Sequence, residues 1–163
     1  MIHIKSQREI EILRKSNRIV AEVLQHLREM LKSGVTGKDL DQVAERMVRE
    51  MGAVPAFKGY RGYPANICVS INEQVVHGIP NSRAFVEGDI VSIDLGVIYR
   101  GYVGDAAVTV PVSSVDQESR RLLEVTEAAL AKGIEQAREG NRLFDISHAI
   151  QSHVEANGFS VVR

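Results

Sequence analysis

An α+β fold, an antiparallel sheet covered by helices, is predicted by three observations. Residues up to Gly52 carry apolar side chains at helical spacing between glycine stops. Residues 65–110 are dominated by β-branched side chains, and helical spacing returns after Pro111.

The elements follow in chain order. Ser6-Gln-Arg-Glu9 has the form of a capping box, and Ile10, Leu13, Val20, Leu24, Leu27 and Leu31 then recur at helical spacing until Ser33-Gly34. A second helix begins at Thr36-Gly-Lys-Asp39, buries Leu40, Val43, Ala44, Met47, Val48 and Met51, and ends at Gly52. Pro55 to Pro64 is rich in Gly, Tyr and Pro and reads as a loop. Strands are expected around Ile67-Val69-Ile71, Val75-Val76, Ile90 to Ile98 and Val103 to Val110, with Gly-Ile-Pro-Asn at 78–81 as a break. A third helix carries Leu122, Leu123, Val125, Ala129, Leu130 and Ile134 and stops at Gly140-Asn141. A fourth covers about Phe144 to Ala156. Phe159 to Arg163 opens like a strand.

The order contains a repeat. A shift of 106 positions puts Gly34 on Gly140, Asp39 on Asp145, Leu40 on Ile146, Val43 on Ala149, Val48 on Val154 and Gly52 on Gly158. Two glycine-stopped helices therefore occur twice, although any two helices with glycine caps align tolerably. The second copy is cut short at Arg163, the equivalent of Phe57.

Bulk properties narrow the function. The 163 residues suit one domain, and 20 basic against 21 acidic residues leave a net charge of −1, with no field for gripping nucleic acid in general or an anionic membrane. No apolar run reaches spanning length and the first residues do not read as a signal peptide, so the chain is expected in the cytoplasm. Cys68 is the single cysteine, which fits a reducing compartment and excludes an internal disulfide. With no Trp and 5% aromatic residues, a stacking platform for single strands is disfavoured.

Asp94 and Asp105 are the candidate chemical groups. Along 91–97 the odd positions Val91, Ile93, Leu95 and Val97 are apolar, and the even positions are Ser92, Asp94 and Gly96. In the next strand Tyr102, Ala106, Val108 and Val110 share the apolar face, while Asp105 goes with Ala107 and Thr109. A short turn at Tyr99-Arg-Gly101 makes the two an antiparallel hairpin. With an even loop, paired positions sum to an odd number, so 94 and 105 share the face away from the core. Their side chains would be about 5 Å apart if directly paired and about 7–8 Å if the register is two residues off. Two such carboxylates suit a divalent metal or metal pair, or are simply solvated on an open sheet face.

His77 ends the apolar run at Val75-Val-His-Gly-Ile-Pro80, and it alone of five histidines lies outside the predicted helices and first residues, which favours a site role. His148 and His153 are five apart on a helix, read as helix-surface residues, and no His-Glu-x-x-His is present. Gly59-Tyr-Arg-Gly62 matches the GxxG loop of KH domains but leads into strands rather than joining helices, so the match reads as accidental. Cys68, between Ile67 and Val69 with no basic neighbour, reads as buried packing rather than a nucleophile.

Phe57-Lys-Gly-Tyr-Arg-Gly-Tyr-Pro64, Asn66-Ile-Cys-Val-Ser-Ile-Asn-Glu73, Val76-His-Gly-Ile-Pro80, Gly88-Asp-Ile-Val-Ser-Ile-Asp94 and Gly104-Asp-Ala106, taken together, strongly resemble type I methionine aminopeptidases. The resemblance runs in order over the whole chain. It implies the pita-bread (creatinase/aminopeptidase) fold, in which two related α/β halves clasp a dinuclear metal site. Residues 1–163 would form one incomplete pita-bread domain, with 6–110 as the first α/β half and 111–163 as the truncated start of the second. By resemblance Asp94 and Asp105 are two of five metal ligands, with Asp105 bridging both of two divalent ions (Co, Mn, Fe(II) or Zn). His77 would be the substrate-side catalytic histidine. Tyr60, Tyr63 and Cys68, with Phe57, would line the pocket for the methionine side chain, where apolar and thiol walls suit an unbranched thioether.

The family's remaining ligands, a His in Gly-His-Gly and two Glu, are expected beyond Arg163, so this chain alone is expected to be inactive. The complete enzyme would be a hydrolase that removes the N-terminal methionine of nascent proteins. Two other readings are a proline-directed aminopeptidase or prolidase relative, and a non-catalytic half-fold that binds a partner or self-associates through an uncovered sheet edge and apolar face.

Overall fold

The first two helix starts are fixed by reciprocal capping. In the computed structural model, which describes residues 3–162, α1 (Gln7–Met30) begins with the Ser6 amide donating to Glu9 Oε2 at 2.7 Å and the Glu9 amide donating to Ser6 Oγ at 3.4 Å. The start of α2 (Gly37–Glu50) repeats the device with Thr36 and Asp39. Both boxes close donors that a helix N-terminus otherwise leaves open.

The chain divides into two compact units, Met1–Val115 and Asp116–Arg163. In the first, four antiparallel strands follow the two helices: β1 (Val54–Pro55), β2 (Cys68–Ile71), β3 (Ile90–Tyr99) and β4 (Tyr102–Pro111). β3 is central, pairing with β4 along its whole length on one side and with β2 and then β1 on the other. Arg100 and Gly101 make a two-residue turn, both at positive φ (49° and 83°), which sets the Tyr99↔Tyr102 register.

The predicted alternation of β3 holds. Val91, Ile93, Leu95 and Val97 are all fully buried against Ile19, Val20, Val23 and Leu27 of α1 and Leu40, Ala44 and Val48 of α2. Each such side chain contributes about 1.5–3 kcal/mol through burial. α1 can lie close to β4 because residue 104 is glycine: a Cβ there would stand 2.6 Å from the Ser16 carbonyl carbon and 2.7 Å from the Asn17 nitrogen.

Three expectations are corrected. Val75-Val76 is not a strand: both are 62% exposed, and the chain there turns through Asn72 (φ 53°) and His77 (φ 59°) so that Gly78 alone lies along β2. Its carbonyl accepts from the Val69 amide at 2.8 Å and its amide donates to Ser70 Oγ at 3.1 Å. β1 falls where a loop was expected to begin, because the Ala56 amide donates to the Gly96 carbonyl at 2.9 Å and draws 54–56 against β3. Phe159 to Val162 forms no strand, and Arg163 lies outside the described residues.

The second unit is a helix pair, α3 (Gln117–Gln136) and α4 (Leu143–Ala156). Gly133 allows their approach, since a Cβ there would meet Ile150 at 2.8 Å. Val125 and Ala129 are buried, whereas Leu122, Leu130 and Ile134 are exposed. A shift of 106 positions carries the bounds of α2 onto those of α4, and the last residue of α1 onto that of α3. Gly34 and Gly140 (φ 92° and 90°) and Gly52 and Gly158 (φ 75° and 78°) repeat the same left-handed stops. The Asp145 carboxylate accepts from the Arg142 amide as Asp39 does from Thr36.

Candidate functional site

Parity on the central hairpin puts both acids on the sheet face away from the α1 core. Asp94 pairs with Ala107 and Asp105 with Gly96, so the acids are diagonal neighbours in the register two residues off direct pairing. Such neighbours stand about 7–8 Å apart. Cys68 of β2 faces Asp94 from the other side of β3. A pocket of about 910 Å³ opens on this face. It is lined by all seven of the residues singled out from sequence, Phe57, Tyr60, Tyr63, Cys68, His77, Asp94 and Asp105.

Two loops bring the non-strand members in. Gly59 (φ 87°), Arg61 (φ 48°) and Gly62 (φ 83°) coil the chain into a short 3-10 turn, Tyr60–Gly62, closed by the Gly59 amide donating to the Tyr63 carbonyl at 2.8 Å. That turn leads into β2 and joins no helices, unlike the KH loop. The Tyr63 hydroxyl lies 2.9 Å from the Gly78 carbonyl and 3.1 Å from that of Ile67, tying this turn to the His77 loop. Asp41 of α2 accepts from the amides of Asn66 at 2.7 Å and Ile67 at 3.1 Å, which fixes the entry to β2.

The His77 loop is anchored at its far end by Asp89, which is 3% exposed. Its carboxylate takes a two-pronged ion pair from Arg83 at 2.8 and 3.0 Å and accepts from the Val86 amide and the Asn72 side chain. These donors hold the Asp89 carboxyl down at about 2. His77 itself is exposed at the pocket edge in a left-handed conformation, an uncommon state for a non-glycine residue.

The acids carry opposite electrostatics to Asp89. Burial raises the Asp94 carboxyl above the ordinary carboxylate range, the Asp105 charge adds to this, and His77 opposes it. Burial also raises Asp105. Asp94 Oδ1 is buried with no hydrogen-bond partner, an arrangement that costs free energy unless a cation or proton sits there. Hard carboxylate oxygens on one face with an unpartnered lone pair fit a divalent ion. Among the described residues no third His, Cys, Asp or Glu joins them in a metal-holding group. Burial pushes the Cys68 thiol up, with the two Asp charges adding and Tyr63 opposing, which keeps it a neutral packing group.

Known proteins match this chain in sequence and in fold. The sequence profile of metallopeptidase family M24 matches residues 11–163. The chain belongs to family M24. Over all 163 residues it is 51% identical to methionine aminopeptidase 1 of Bacillus subtilis, and it is 50% identical to the methionine aminopeptidase of Clostridium acetobutylicum. This M24 chain spans 66% of the length of each of those relatives. It superposes over its whole length on methionine aminopeptidase from Thermotoga maritima with a TM-score of 0.97 at 44% identity, covering 66% of that chain. Prolidase from Pyrococcus furiosus shares the fold with a TM-score of 0.84 at 24% identity. The antiparallel sheet and helices of this M24 chain are thus those of part of the pita-bread fold.

Sequence reasoning missed some members of the pocket. Ala56, Arg61, Ile79, Ile98 and Val103 also line it, each carried there by the same loops and strands. Of these, Arg61 and Ile79 fall inside stretches that carry the family resemblance, and the other three left no signal in the sequence. His148 lies on the surface of α4 as expected, whereas His153 is half-buried with its Nε2 enclosed and unpartnered.

Proposed function

We propose that this chain supplies the carboxylate side and the methionine pocket of a methionine aminopeptidase, a metal-dependent hydrolase that removes the N-terminal methionine of new proteins. The observation that carries the reading is the convergence of His77, the two acids and four pocket residues from separate strands and loops on one cavity. Asp94 and Asp105 would hold the divalent ions, of which Co, Mn, Fe(II) and Zn are the candidates, two per complete site. Such ions supply Lewis acidity and activate water for attack on a peptide carbonyl. Tyr60, Tyr63, Phe57 and Cys68 bind the thioether side chain and exclude water around it. His77, exposed at the pocket edge, donates a hydrogen bond beside the scissile peptide and steadies the charge that develops there. Among the described residues no third ligand joins the two acids, and two carboxylates alone would hold a divalent ion weakly. The substrates are methionine-initiated peptides in the cytoplasm.

The repeat of helix bounds and glycine stops under the 106-residue shift supports reading 111–163 as the start of a second, related half. A proline-directed activity is favoured by no observation beyond the shared fold.

Saturation-transfer NMR of this chain with Met-Gly-Gly and Ala-Gly-Gly tests the reading. Contact is expected at the methionine methyl group and is expected to weaken in Tyr63→Ala. Equal signals from both peptides would refute a methionine pocket.

A further inference from the structure

Gly96 is buried in the middle of a regular strand, and its φ is not positive. Glycine inside a strand weakens it, and extended backbone admits any residue, so space and not conformation must require it here. The space is taken by Phe57. A Cβ on Gly96 would lie 2.5 Å from Cε1 of the Phe57 ring, 3.1 Å from its Cζ and 3.1 Å from the Ala56 Cβ. β1 delivers the ring to that spot: Pro55 pairs with Val97, and the Ala56 amide is bonded to the Gly96 carbonyl. Directly across the ladder from Gly96 is Asp105. The aromatic wall therefore rests on the sheet beside the acid that it helps to enclose, and both line the pocket.

We infer that Gly96 is a positioning residue that seats Phe57 against the sheet, and that the pair sets how long and how bulky an N-terminal side chain the pocket admits. This rests on the pocket receiving a peptide N-terminus, as proposed above. A side chain at 96 lifts the ring into the space meant for the ligand. Loss of the ring opens the floor next to Asp105.

The test uses the 163-residue chain with ¹³C-labelled phenylalanine, the Phe57 ring signal being assigned by its loss in Phe57→Leu. Binding of Ala-Gly-Gly, Met-Gly-Gly and Phe-Gly-Gly is measured for the wild type, Gly96→Ala, Phe57→Ala and the double variant. Gly96→Ala is expected to shift the ring signal and weaken Met-Gly-Gly binding about tenfold, the scale of a methylene misfit in an apolar pocket. Phe57→Ala is expected to bind Phe-Gly-Gly at least as well as Met-Gly-Gly. The double variant is expected to fall within about threefold of Phe57→Ala, because the two changes couple through one contact. An unmoved ring with unchanged preference, or strictly additive effects, overturns the inference. Should Gly96→Ala fail to fold, Phe57→Ala decides alone: no gain for Phe-Gly-Gly overturns it. Wild-type binding of Met-Gly-Gly with an unaltered order of preference in the variants removes only this inference. Failure of the wild type to bind any of the three peptides removes the peptide-pocket reading and this inference together.

Discussion

Asp105 sits opposite Gly96, not opposite Asp94, across the β3–β4 ladder. That offset keeps the two acids on one face as diagonal neighbours and leaves the position beside Asp105 free of a side chain. Asp94 Oδ1 is left enclosed and without a partner.

Asp94→Asn is therefore expected to stabilise the metal-free chain by about 1 kcal/mol, since an uncompensated buried carboxylate is removed. The same change is expected to abolish any rise in Tm produced by excess Mn or Co, because a ligand stabilises only the state that binds it. Thermal unfolding with and without metal checks both. A lower Tm in the absence of metal counts against the account.

Asp89 gives a pH dependence of definite sign. Its folded value of about 2 lies below the ordinary 3.8, so its stabilisation is complete above about pH 4 and is lost as pH falls toward about 2. The contribution is about 2 kcal/mol for a side chain that is 4% exposed. Glu9, held low by its bonds to Ser6 and Tyr102, titrates in the same window. Urea unfolding from pH 6 to pH 2.5 should therefore be compared with Asp89→Asn, whose profile is expected to lose that share of the slope; identical slopes would remove Asp89 as the anchor.

Gly104→Ala is expected to cost about 1–3 kcal/mol, the usual penalty of overpacking. The added methyl meets the backbone of Ser16 and Asn17, which cannot swing aside as a side chain can. Gly88→Ala, at φ 92° with nothing within 4 Å, has conformational strain but no clash and serves as the comparison. Urea midpoints for both variants separate the effects, and an unchanged midpoint for Gly104→Ala would refute the close approach of α1 to β4.

Tyr63→Phe is expected to cost about 1 kcal/mol, the value of one ordinary hydrogen bond. The loss falls on the join between the Tyr60–Gly62 turn and the His77 loop, since the hydroxyl contacts the Gly78 carbonyl. Amide exchange at Val69 and Gly78, whose own bonds depend on that placement, should accelerate. Unaltered exchange there would show that the loop is held by Asp89 and Arg83 alone.

Much of this was legible in the chain because it is periodic and local. Ser6 with Glu9, and Thr36 with Asp39, announce helix starts within four residues. The odd residues 91–97 announce a buried face because strand side chains alternate strictly. The common face of Asp94 and Asp105 follows from parity, which survives a shift of register by two. Val75 and Val76 misled because β-branched composition says nothing of whether a neighbouring strand is available. At that point Gly78 alone reaches Val69, and the chain has already turned at His77.

The sequence by itself determined the four helices, the β3–β4 hairpin, the face that carries the acids and the family motifs. Tertiary structure alone decided that Phe57 rests on Gly96, that Asp41 fastens the start of β2, and that Gly104 admits α1. The physical reason is range. Alternation and capping are properties of neighbouring residues, whereas the space beside a glycine is defined by whichever distant segment the folded chain lays across it.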